Sequence, residues 1–289
     1  NGKRLRFWHP ALRQFLGEIA SDDVSMERAF LAHDSSFCAY AVKADNSHIA
    51  RHALTFSADG TRLSIGPRED VPGSEDSILL ALPSDGSWIT WHTKTQAISL
   101  WPAGDASQQR LLIKSCSANT KFSPDMRWAV SAQTDQDDVQ VCDLQTTQPP
   151  LIVHLEGATS IRWSPDGSWV FLHGAEENVL LEAGTWHELA RWQADDDVHG
   201  RKCIAISGDS RWLSYSLSND TIQLVQLPST RKVLQLHAPD DLDFRRAIFS
   251  KDGRRLWTMG VAGRVFEWDF DALTTELQML GITWTTSSR

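Results

Sequence analysis

The chain has 289 residues, 41% hydrophobic and 22% charged, a balance ordinary for a globular protein with ample material for a core. Its formal net charge of −9 argues against sequence-independent binding to nucleic-acid phosphates, which needs clustered Lys and Arg. No run approaches the roughly 18 apolar residues of a membrane-spanning helix, and the polar, alternating stretch Asn1-Gly-Lys-Arg-Leu-Arg-Phe-Trp8 does not read as a secretory signal.

Taken along the chain, the expected elements are short and β-type. Residues 5–9 and 12–19 read as two strands, the third and fourth of a repeat unit whose first half lies elsewhere. A degenerate mark follows at Ala32-His-Asp34-Ser-Ser-Phe37. Then one pattern recurs: an apolar residue, Ser, a variable residue, Asp, usually Gly or a small polar residue, and an aromatic-rich apolar run. Its copies are Phe56-Ser-Ala-Asp59-Gly60, Pro83-Ser-Asp85-Gly86, Phe122-Ser-Pro-Asp125-Met126, Trp163-Ser-Pro-Asp166-Gly167, Ile206-Ser-Gly-Asp209-Ser210 and Phe249-Ser-Lys-Asp252-Gly253. From Asp85 onward the aspartates are 40, 41, 43 and 43 residues apart. That period is the length of one four-stranded propeller blade.

One copy shows how a unit is built. Residues 158–163 alternate and end in Ser-Pro-Asp-Gly, a type I turn signal in which Pro presets the second position. Residues 169–173 form a second strand, 176–178 a hairpin tip, 179–182 a third strand, 183–185 a turn and 186–192 a fourth strand. No helical periodicity interrupts the pattern between residues 85 and 280. Trp88, Trp128, Trp169, Trp212 and Trp257 recur at or near the start of the second strand. They are distributed one per unit, so they read as packing between blades and not as a ligand cage. The expected fold is all-β: a single propeller over residues 1–289, of seven four-stranded antiparallel blades, clear over 84–280 and irregular over 1–83. The last blade is expected to own a fourth strand at 276–280. Asp34, Asp59 and Asp85 are only 25 and 26 residues apart, too short for whole blades. Either the first blades are reduced, or segments are missing near 44–47 and 67–75. The half-unit at residues 5–19 reads either as ring closure, with the N-terminal strands completing the last blade, or as the mark of a fragment of a longer protein.

With these residues in view, the chain resembles the WD40 repeat family. Arg264-Val-Phe-Glu-Trp268-Asp269 carries a third strand ending in Trp-Asp, and Val139-Gln-Val-Cys-Asp143 keeps the Asp. Leu5-Arg-Phe-Trp8-His9 and Ile98-Ser-Leu-Trp101-Pro102 keep the Trp, and the copies ending at Glu182 and Gln226 have neither. The family's Gly-His pair is not recognisable. The resemblance implies a rigid propeller that serves as an interaction platform.

Chemistry is sparse. Cys38, Cys116, Cys142 and Cys203 form no C-x-x-C pair and read as small buried hydrophobes of a reducing compartment. Gly208-Asp-Ser210 looks like a lipase-type nucleophile motif but falls in the repeat's own turn. His48 and His52 have the spacing of a helical zinc pair, yet on a strand they stand about 13 Å apart. There is no Walker loop and no dinucleotide-type glycine loop. The expectation is therefore no enzyme, no cofactor and no metal.

The acidic residues collect where the loops from strand two to three and from strand four to the next strand one would share a face. They are Asp135, Asp137, Asp138, Glu176, Glu177, Asp195, Asp196, Asp197, Asp240, Asp241 and Asp243. Such a rim would attract a basic segment of a protein partner; Arg201, Lys202, Arg245 and Arg246 would neutralise it in part. The expected function is a cytoplasmic, non-enzymatic protein-interaction scaffold with no nucleic-acid or membrane partner. Alternatives are the C-terminal sensor of a larger nucleotide-switch protein, a propeller joined to a peptidase or hydrolase domain, and a lectin-like propeller.

Overall fold

A computed structural model describes residues 4–9, 12–20, 25–31, 36–43, 48–71, 74–81, 87–102, 109–114, 116–132, 138–146, 148–157, 160–194, 203–238, 244–260 and 264–279. Strands that are neighbours in sequence are neighbours in each sheet. β1 (Arg4–His9) and β2 (Gln14–Ala20) make a two-stranded sheet. The first blade is β3 (Ser25–Leu31), β4 (Phe37–Lys43), β5 (His48–Phe56) and β6 (Leu63–Asp70). The second is β7 (Ser77–Ala81), β8 (Trp88–His92), β9 (Ala97–Trp101) and β10 (Arg110–Ile113). The third is β11 (Thr120–Phe122), β12 (Trp128–Ala132), β13 (Asp138–Asp143) and β14 (Leu151–His154). The fourth is β15 (Ser160–Trp163), β16 (Trp169–His173), β17 (Glu177–Glu182) and β18 (Glu188–Gln193). The fifth is β19 (Ile204–Ile206), β20 (Trp212–Ser216), β21 (Thr221–Gln226) and β22 (Arg231–His237). The sixth has three strands, β23 (Phe244–Phe249), β24 (Arg255–Gly260) and β25 (Val265–Asp269).

The architecture is thus an all-β propeller of four-stranded antiparallel blades, with six blades among the described residues where the repeat count predicted seven. The extra mark has a local cause. Asp59 lies in the turn between β5 and β6, the third and fourth strands of a blade, whereas every later described mark lies between first and second strands. The segment 32–35, with Asp34, falls between β3 and β4 of that same blade; it lies outside the described residues, and so does Asp85, between β7 and β8. Two marks therefore fall in one blade, and the 25-residue interval needs no reduced blade.

The second departure is at the end. Residues 276–280 were expected as a strand, but Phe270–Met279 is a helix, α1. The Asp of the Trp-Asp pair starts it: Asp269 Oδ1 accepts the backbone N–H groups of Asp271 and Ala272, both at 3.0 Å. That is an N-cap, which satisfies donors a helix leaves open. Phe270 then buries against Phe249 and anchors the first turn.

The chain divides into two units, residues 1–122 with 142–150 and residues 123–141 with 151–289, the division running through the third blade. In the first unit Leu5, Phe7 and Ile19 of the two-stranded sheet pack on Met26, Tyr40, Val42 and Leu54 of the first blade. In the second unit the fourth blade is covered on both faces. Val170, Leu172, Val179 and Leu181 pack toward Val130, Val139 and Val141, while Phe171 and Leu180 pack toward Leu213, Tyr215 and Val225. Burial on both faces explains why Trp169-Val-Phe-Leu reads as a continuous apolar run and not as an alternation. Each fully buried aliphatic side chain of this kind contributes about 1.5–3 kcal/mol. Cys38, Cys116 and Cys203 are buried free thiols; burial pushes them up to about 11, 12 and 12.

The serine–aspartate turn is the repeated local structure. In the fourth blade Ser164 Oγ donates to Asp166 Oδ1 at 2.6 Å and accepts the backbone N–H of Trp169 at 2.8 Å. Asp166 Oδ1 also accepts the N–H of Ser168, and Gly167 N–H donates to the Ser164 carbonyl. The same bonds recur at Ser57/Asp59, Ser123/Asp125, Ser207/Asp209 and Ser250/Asp252. The residue after each Asp is left-handed, with φ of 69° at Gly60, 59° at Met126, 74° at Gly167, 58° at Ser210 and 68° at Gly253. That conformation is free for Gly and costs other residues about 1–2 kcal/mol.

In the second unit successive turns touch. Asp166 N–H donates to Ser210 Oγ at 3.2 Å, and a Cβ on Gly208 would stand 2.3 Å from the Lys251 carbonyl oxygen. Gly208 is therefore a close-packing glycine, and the Gly208-Asp-Ser210 motif is a structural turn. Gly208→Ala should destabilise the protein by about 1–3 kcal/mol through overpacking. Met126→Gly, which relieves a left-handed methionine, should raise stability by up to about 1 kcal/mol; urea-denaturation midpoints check both.

The turn hydrogen bonds also set an acid limit. The Ser57 hydroxyl, with Thr61, holds the Asp59 carboxyl down at about 2, and Ser123 and Ser250 lower Asp125 and Asp252 in the same way. At Asp166 burial opposes the shift, but Ser164, Ser168 and Ser210 outweigh it. A carboxylate whose folded pKa lies below its unfolded value of about 3.9 stabilises the fold above that value. The stabilisation is lost as pH falls through the folded pKa. Stability should therefore drop between about pH 4 and 2, and a variant carrying Asp59→Asn, Asp125→Asn and Asp252→Asn should show a shallower drop from a lower starting point, measured by denaturant midpoints across that range.

Candidate interaction surface

The two kinds of loop that sequence reading placed on one face meet in the second unit. The hairpin from β16 to β17 carries Ala175, whose N–H donates to the Glu156 carbonyl in the segment after β14. The contact is tight: a Cβ on Gly174 would stand 2.6 Å from that same carbonyl oxygen, and one on Gly157 would stand 2.7 Å from the Ala175 Cβ. Ala194, at the end of β18, donates to the Glu176 carbonyl. The fifth blade repeats the scheme, with Ala238 N–H on the Asp220 carbonyl and Phe244 N–H on the Asn219 carbonyl. Loop tips that are exposed in sequence terms are thus bolted to one another by main-chain bonds.

The acidic residues divide. Asp138, Glu176 and Glu177 are described; Asp135, Asp137, Asp195, Asp196, Asp197, Asp240, Asp241 and Asp243 lie outside the described residues, with Arg201 and Lys202. Glu176 is exposed at the hairpin tip. Glu177 is the first residue of β17, not part of the tip, and binds Arg191 at 2.6 Å. Arg191 also binds Glu188, and Glu188 followed by Glu177 raises the arginine pKa above its usual range. Asp138 pairs across the strands with His154 at 2.6 Å. Exposed pairs of this kind contribute about 0–1 kcal/mol, so they position charge more than they hold the fold.

Two acidic residues of this end were missed by the sequence reading. Glu156 is exposed in the segment joining β14 to β15. Asp220 sits in the β20–β21 hairpin, its carboxyl lowered by hydrogen bonds from Ser218 and Thr221. Each is a single acid in an otherwise neutral stretch, and a search for runs of charge passes over single acids. The strand that carries the two histidines shows no shared site for them. His52 is buried between the Tyr40 hydroxyl and the Gly66 carbonyl, while His48 lies beside Arg68 and Asp70. No cluster of three metal-ligating side chains occurs among the described residues. No described helix is long and apolar enough to cross a membrane.

The class that the geometry defines is a β-propeller with blade ends tied into rigid rims. No protein-family model and no curated protein matches the chain. Among solved structures it is similar to a chain of the Crystal Structure of Mitotic Checkpoint Complex, with a TM-score of 0.67 and 14% identity, covering 92% of this chain and 81% of that one. At that identity the likeness concerns the fold. Gly174→Ala tests the rim directly: by pushing against the Glu156 carbonyl it should cost about 1–3 kcal/mol and speed amide exchange at Ala175, read by hydrogen-exchange mass spectrometry.

Proposed function

We propose that the chain is a WD40-type, non-enzymatic protein-interaction module of the cytoplasm whose acidic rim binds a basic segment of a protein partner. The observation that carries this reading is the coupling of carboxylates to a rigid frame. Glu176 stands exposed on a hairpin whose backbone is fixed to the Glu156 and Ala194 segments, so a partner meets charge already held in place. Preorganisation of this kind lowers the ordering cost of binding. Asp135, Asp137, Asp195, Asp196, Asp197, Asp240, Asp241 and Asp243 stand in the loops of the same type and would extend the field. Like-signed charge on one rim speeds encounter with an oppositely charged segment and makes it salt-dependent. The structural likeness to a chain of a mitotic checkpoint complex supports a role inside a protein assembly.

A lysine- and arginine-rich peptide of about a dozen residues, compared with its glutamate counterpart, is the probe. The protein should bind the basic peptide alone, with affinity falling steeply between 50 and 200 mM salt. Combined charge reversal, Glu176→Lys with Asp195→Lys, Asp196→Lys and Asp197→Lys, should weaken binding at least about tenfold and flatten the salt dependence. Equal binding by wild type and variant, measured by fluorescence anisotropy, would sink the reading.

A further inference from the structure

In the second unit the first strands of three consecutive blades, β15, β19 and β23, lie side by side. Arg162 of β15 reaches across to the next blade: its Nε donates to the Ile204 carbonyl at 3.2 Å and its Nη1 to its neighbour Ile161's carbonyl at 2.9 Å. Two of the five guanidinium N–H donors are used in this way, and three are left. Arg162 is half-buried, burial lowers its pKa, and among the described residues no carboxylate pairs with it. A second cation, Arg246 of β23, stands near enough to lower the Arg162 pKa further than burial alone does. Arg246 is exposed and likewise has no ion pair among the described residues; Asp240, Asp241 and Asp243, which it was expected to neutralise in part, lie outside them.

A half-buried guanidinium that, among the described residues, is held by main-chain carbonyls with a like charge beside it is an unusual arrangement. Withdrawing an ion from water costs several kcal/mol unless a counter-charge or a full hydrogen-bond set offsets it. The one soft acid near both arginines does not serve. The Cys203 thiol is pushed up to about 12, chiefly by burial, and so is neutral at pH 7. In a chain of net charge −9, two arginines lie near enough to act electrostatically on one another and on one buried, neutral thiol. The free donors of Arg162 form part of the planar fork that suits an oxyanion.

We propose that Arg162 and Arg246 form a binding site for an oxyanion borne on a partner segment, a carboxylate or phosphate group, on the side-by-side first strands β15, β19 and β23. Arg162 supplies a fixed, partly desolvated hydrogen-bonding fork, and Arg246 supplies a solvent-side charge that draws the anion in. The site is distinct from the acidic rim and independent of the proposal made for it.

The test is a thermal-shift and calorimetric titration of the whole chain with inorganic phosphate against chloride at constant ionic strength. N-acetyl-phosphoserine amide and N-acetyl-glutamate amide serve as two further arms. Phosphate should raise the melting temperature saturably where chloride does not, and whichever amide binds tighter identifies the group the partner carries. Arg246→Gln, an exposed change that leaves the fold intact, should weaken phosphate about tenfold, as expected for loss of one charge-assisted contact. Arg162→Gln should abolish the saturable response; if that variant fails to fold, Arg246→Gln decides alone. A wild-type response no different from chloride, or one unchanged by Arg246→Gln, overturns the proposal.

Discussion

One serine hydroxyl in each of the five described Ser-x-Asp turns does two jobs at once, and the blades depend on it. At Ser164 the Oγ donates to the Asp166 carboxylate and accepts the N–H of Trp169, the residue that begins the next strand. The hydroxyl thereby fixes where the turn ends and which way Trp169 enters β16. Ser164 is fully buried, so its partners cannot be replaced by water, and an unmet donor there would cost about 1–3 kcal/mol. The aspartate closes the other side of the turn and forces the next residue into the left-handed region. That requirement is why Gly recurs at 60, 167 and 253, and why Met126 and Ser210 are the strained exceptions.

Once each turn has this shape, the blades can approach. Gly208 has space for a hydrogen and nothing more beside Lys251, and the Ser210 hydroxyl meets the backbone of the Asp166 turn. Similar logic governs the opposite ends of the strands, where Gly157 and Gly174 let the Glu156 segment and the β16–β17 hairpin touch. The functional readings grow from this rigidity. Carboxylates on a fixed rim and arginines on fixed first strands present charge without first having to be ordered, which is what a recognition surface needs.

The sequence carried the repeat because its cause is local. A type I turn with a left-handed residue after it demands Ser, Asp and Gly at fixed offsets, and burial on both blade faces demands aromatic and β-branched runs between them. Residues 169–173 were legible as a strand to the residue. The same local cause misled at Asp59, where identical turn chemistry joins the third and fourth strands, so counting turns overcounted blades. It misled again at the end of the chain. Residues 276–280 read as a fourth strand, but the Asp269 cap together with the burial of Phe270 on Phe249, a contact 21 residues away in sequence, makes 270–279 a helix.

The sequence by itself determined that the chain is all-β, that it repeats every 40 to 43 residues, and that acids recur in short runs such as Asp195–Asp197. These follow from interactions between residues a few positions apart. Tertiary structure alone decided which turns face one another, which acids are tied to Arg191 or His154, and that Arg162 reaches across a blade boundary to Ile204. Those partners are about 14 to 42 residues apart along the chain, and only the packing of one strand or blade on the next brings them within hydrogen-bonding range.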